Sequence, residues 1–165
     1  MYYNNLTSLS LLLFILSSLS AKAQSADPQD MRDHCWQELN NRNYQRAISD
    51  ADDSINSFGS QASTIQDDAV STNAKMPAVG KTDQGGHDYI DNTFGLLNDV
   101  SACVYVRAVS HETRGDCTAA RQDYSILVKY TYARIWNNKG FYWAPSVAAD
   151  IWLKHGTSKC PILTH

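Results

Sequence analysis

The chain has 165 residues, is 43% hydrophobic, and sets 14 Lys and Arg against 17 Asp and Glu for a net charge of −3. That length and composition suit one domain with its own core. The acidic balance argues against nucleic acid as the main partner, because phosphate recognition wants clustered Lys and Arg.

Residues 1–23 read as a cleavable export signal. Leu9 to Leu19 forms an apolar run, and Ala21-Lys22-Ala23 follows as a small-x-small cleavage site. The run is shorter than the ~20 apolar residues that span a bilayer. No Cys directly follows it and no second such run exists, so the expectation is a mature chain 24–165 without a membrane anchor, secreted or periplasmic. Cleavage removes one basic residue, Lys22, and moves the net charge from −3 to −4.

The mature part reads as all-α. Asp27-Pro28 opens a helix, since Asp caps well and Pro suits the first turn. Met31, Cys35, Trp36 and Leu39 recur at helical spacing, and Asn40 to Asn43 breaks the pattern. Tyr44, Ala47, Ile48, Ala51 and Ile55 mark a second helix, making a helix hairpin. Residues 57–87 are rich in Ser, Thr, Gln, Asp and Gly and read mostly as a polar loop, with a weak helix near 61–72. From Tyr89 an apolar central helix runs to Arg114-Gly115-Asp116, and a shorter helix carries Ala119, Ala120, Tyr124 and Leu127. Pro145 starts a last helix through Lys154, stopped by Gly156, which forms an aromatic C-terminal cap. No convincing strand alternation is present.

Four cysteines in an exported chain, Cys35, Cys103, Cys117 and Cys160, predict two disulfides. No CxxC spacing and no paired His point to zinc. A helix rising ~1.5 Å per residue separates Cys103 from Cys117 by roughly 20 Å, beyond the ~7 Å reach of a bridge. Of the two pairings left, Cys35–Cys103 with Cys117–Cys160 is favoured, since it ties the hairpins together and pins the tail.

The two hairpins resemble tetratricopeptide-repeat (TPR) units. Ala108, Gly115-Asp116, Cys117, Ala120 and Tyr124 take the small, turn, aromatic, small and large positions of such a unit, with Cys117 in the aromatic's place. Cys35, Asn43-Tyr44, Ala47 and Ala51 correspond in the first hairpin, with Asn for the turn Gly and Ala for the large residue. The spacing between units exceeds the ~34-residue repeat, and the excess falls in 57–87. The resemblance implies antiparallel helix hairpins and a protein-binding or peptide-binding module without catalysis or cofactor, its partner a peptide, a protein surface or a second copy.

Other features have plainer readings. Arg114-Gly115-Asp116 is a turn and cap. His111-Glu112 lacks the second His of a metalloprotease helix. His87, Asp88 and Asp91 sit where acids suit a helix start. Asp50, Asp52 and Asp53 lack EF-hand spacing. The aromatic tail is the candidate ligand surface, comprising Trp136, Phe141, Tyr142, Trp143 and Trp152, because Trp and Tyr are enriched at binding hot spots. The alternative is a small secreted enzyme or enzyme inhibitor using the 57–91 loop, in which an enzyme needs His87 or His111 beside a carboxylate in a concave site.

Overall fold

The computed structural model describes residues 27–162, and the expected signal segment 1–23 lies outside them. Among the described residues there are five helices: α1 (Pro28–Asn40), α2 (Tyr44–Ser71), α3 (Gln84–Arg114), α4 (Cys117–Leu127) and α5 (Pro145–His155). Two short strands, β1 (Ile135–Trp136) and β2 (Tyr142–Trp143), pair antiparallel between α4 and α5. The fold is all-α, and α3 is its axis: α1, α2 and α4 pack against it, as does β1.

The helix starts follow from the local sequence. Asp27 accepts from the Gln29 amide at 2.8 Å, with Pro28 in the first turn. Asp83 caps α3 through the Gly86 amide at 2.8 Å, which moves the start five residues before Tyr89. Gly115 takes a φ of 82°, a left-handed conformation that costs a glycine little, and so ends α3. Asp116 then caps α4 through the Ala119 amide.

The main correction concerns residues 57–87. They are not a loop insertion: α2 continues to Ser71 and only 72–83 are non-helical before α3. Ile55, Phe58, Ala62, Ile65, Gln66 and Ala69 recur every three to four residues and make the inward stripe of α2. The stripe looks polar because two of its innermost members are alanines, which let α2 lie close to α3, and one is a glutamine. The 72–83 connection is itself tied down. The Tyr89 and Tyr132 hydroxyls donate to the Lys75 and Ala74 carbonyls, and Gly80 pairs with Tyr142 through two backbone hydrogen bonds.

The core holds Phe94, Leu97, Val100, Val104, Tyr124, Leu127 and Trp152. A satellite core gathers Ala47, Ala51 and Val106 around the Cys35–Cys103 disulfide. Cys117–Cys160 joins the start of α4 to the tail after α5. Both bridges are the favoured pairing. Buried amides pin the segment before β1: Gln66 donates to Thr131 Oγ1 and accepts from the Tyr132 amide, while Asn98 accepts from the Arg134 amide at 2.7 Å. Among the described residues no helix is long and apolar enough to cross a membrane.

Candidate functional site

A cleft opens where α1, the first half of α3 and the β-hairpin meet. On α1, Arg32 and Trp36 are four residues apart and share a face. On α3, His87, Asp91 and Asn98 repeat at helical spacing and face the same way. On the hairpin, Trp136 stands directly opposite Tyr142, so both side chains emerge on one face, while Ile135 and Trp143 use the other. Two adjoining recesses of about 260 and 400 Å³ share Arg32, Asp91, Trp136 and Tyr142 as lining.

The cleft is wired by hydrogen bonds across distant parts of the chain. The Tyr142 hydroxyl donates to Asp91 Oδ1 at 2.7 Å and lies 3.1 Å from His87 Nδ1. The phenol has one proton, and it goes to Asp91. A neutral His87 must therefore carry its hydrogen on Nδ1, leaving Nε2 as a free acceptor. Burial, then the bond to Asp91, pushes the Tyr142 phenol above its ordinary value. The Trp136 ring meets His87 and Tyr142 edge-on, at centroid distances of 4.8 and 4.9 Å. It is 47% exposed, among the largest apolar surfaces presented to solvent.

Arg32 bridges the α1 and α3 walls. It bonds Asp99 at 2.7 Å and Asp33 at 2.8 Å. Burial raises the Asp99 carboxyl to about 6 despite the pull of Arg32 in the opposite direction. The pair still favours the charge on Arg32, whose two carboxylates outweigh its own desolvation. At Asp99, with only 8% exposure, desolvation wins. Arg134, 4% exposed, donates to the carbonyls of Pro77, Thr131 and Ala133, and burial lowers its pKa.

The structure divides the expected aromatic surface. Trp136 and the Tyr142 hydroxyl reach the cleft. Trp143 packs against Tyr105 at 4.9 Å, and Phe141 is half-buried beside the hairpin turn. Trp152 is not part of that surface: it is buried, stacks on Tyr124 at 4.4 Å and donates to Glu112 at 3.0 Å. Glu112 also accepts from Tyr124 and Thr157, so it acts as a structural tie. His111 approaches Asp116 only to 3.6 Å. Asp52 joins Asp123 around Arg107, and Asp50 pairs with Arg46. Among the described residues no group of three or more His, Cys, Asp or Glu could hold a metal ion.

Arg32, Trp36, Asn98, Asp99 and Arg134 were not singled out as site residues by sequence reasoning. One signal was available: Asn98-Asp99 interrupts the apolar run from Phe94 to Val109, where a buried polar pair needs partners. No protein-family model, curated protein or solved structure matches the chain.

Proposed function

We propose that this chain is an exported binding module, TPR-like in its helix hairpins, that holds a protein or peptide partner in the cleft between α1, α3 and the β-hairpin. The observation that carries the reading is Trp136: a large aromatic ring, half exposed, set against His87 and Tyr142 at the mouth of a formed recess. Such a ring is a typical anchor for a partner's side chain. Two disulfides support an oxidising compartment outside the cytoplasm. Fully buried Ala47, Ala51, Ala108 and Ala120 support the close helix crossings of TPR-like hairpins.

The test is selection of binders from a random peptide library against the disulfide-bonded chain. Their affinity should fall by about tenfold or more on Trp136→Ala, the loss expected of an interface anchor. It should not change on Val147→Ala, an exposed apolar site on α5. Selected peptides indifferent to Trp136→Ala would overturn the reading.

A second reading, a small exported enzyme, draws on the Asp91–Tyr142–His87 chain, which leaves Nε2 of His87 free as a base in a concave site. It requires a hydrolytic or proton-transfer activity lost on His87→Ala. An inhibitor reading would have to use 72–83, the only non-helical part of 57–91.

A further inference from the structure

The cationic groups of the cleft are engaged, and one of its carboxylates has no cation beside it among the described residues. The charged donors and the Tyr142–His87 pair are engaged: Arg32 on Asp33 and Asp99, Arg134 on backbone carbonyls, the Tyr142 hydroxyl on Asp91, and His87 Nδ1 on Tyr142. Among the described residues the second oxygens of Asp91 and Asp99 and Nε2 of a neutral His87 have no hydrogen-bond partner, and the indole N–H groups of Trp36 and Trp136 are free as well. Among the described residues Asp91 has no cationic partner, and the hydrogen bond its side chain accepts comes from the Tyr142 phenol. Beside these acceptors stand the rings of Trp36, Trp136 and Tyr142, whose faces carry negative quadrupole charge.

Acceptors and π faces together attract a donor-rich cation and repel a carboxylate or phosphate. Arg134 does not reverse this, because its charge is directed at carbonyl oxygens. A recess of about 260 Å³ admits one long side chain rather than a folded element. Resting on the reading of the cleft as a peptide site, we propose that its occupant is a lysine or arginine side chain of the partner, with the ammonium or guanidinium held between Asp91 and Trp136.

Calorimetry with the whole disulfide-bonded chain tests this, using end-capped Gly/Ser peptides that carry Lys, Arg, norleucine or Glu at the centre. The Lys or Arg peptide should bind about tenfold tighter than the norleucine peptide, a cation–π and charge effect. That advantage should shrink with added salt and on Asp91→Asn, while the thermal midpoint of the exposed Asp91→Asn variant stays close to the original. Equal binding of the norleucine peptide, preference for Glu, or no binding of any probe would overturn the proposal. Butylamine or ethylguanidine binding as tightly as the peptides would overturn the peptide as source. Library-selected binders that need Trp136 but no cation would sink this inference and leave the module standing. Binders indifferent to Trp136 would sink both.

Discussion

Replacing Asp99 by Asn removes one titration and little volume, which makes the acid side of the stability curve readable. Asp99 is 8% exposed, and burial lifts its carboxyl from 3.8 to about 6 against the pull of Arg32. A folded-state value above the unfolded one means that the native chain holds the proton more tightly. The group's contribution to stability is therefore fully present below the unfolded value and is lost as pH rises through about 6. Two pH units at ~1.4 kcal/mol each give roughly 3 kcal/mol as an upper figure. Arg32 is 30% exposed at its side chain, so water screens the pair and lowers it. Urea unfolding of both proteins at constant ionic strength measures the effect. Between about pH 7.5 and pH 4 the wild type should gain about 1–3 kcal/mol on Asp99→Asn. Parallel profiles, or a wild type that loses ground as pH falls, would show that Arg32 governs the carboxyl and that the desolvation argument is wrong.

Three further predictions follow from the packing. Ala120 is fully buried, so Ala120→Trp should cost ~1–3 kcal/mol or more. His111→Ala should stay within about 0.5 kcal/mol, and equal thermal losses for the two would count against close helix crossing at Ala120. The Cys117–Cys160 bridge closes a span of 43 residues, so Cys117→Ser with Cys160→Ser should cost ~2–4 kcal/mol in urea unfolding; an unchanged midpoint would mean that the tail is held without it. Deleting residues 61–84 removes Ala62, Gln66 and Ala69 from the inner face of α2 and should abolish cooperative unfolding by near-ultraviolet dichroism. A folded deletion product would restore the loop reading of that stretch.

Punctuation by single residues was legible in the sequence. Asp27-Pro28, Gly115-Asp116 and Pro145 mark helix ends where the structure has them, because caps act through bonds to neighbours a few residues away. The second half of α2 was hidden because Ala62, Gln66 and Ala69 read as filler among Ser and Asp. What makes that stripe inward is the α3 surface it meets and the Tyr132 amide that Gln66 satisfies, 66 positions away. The β-hairpin was hidden for a related reason: strands two residues long carry no alternation to detect. In the cleft, aromatic density pointed to Trp136 and Tyr142. Arg32 and Asp99 could not be paired from sequence, since 67 positions separate them and only tertiary packing joins α1 to α3.

The Cys35–Cys103 bridge has a mechanical consequence for ligand entry. Cys35 lies three residues past Arg32 and next to Trp36, and Cys103 lies four residues past Asp99. The covalent staple thus sits about one turn from the ion pair on each helix. Two of the three walls of the cleft cannot part or slide without breaking that bond. The third wall, the hairpin, has no covalent link to the other two; the Gly80–Tyr142 backbone pair, the Tyr142–Asp91 bond and its own Asn137–Gly140 turn hold it. The cleft thus has two covalently stapled walls, while the wall that carries Trp136 is fastened by hydrogen bonds alone.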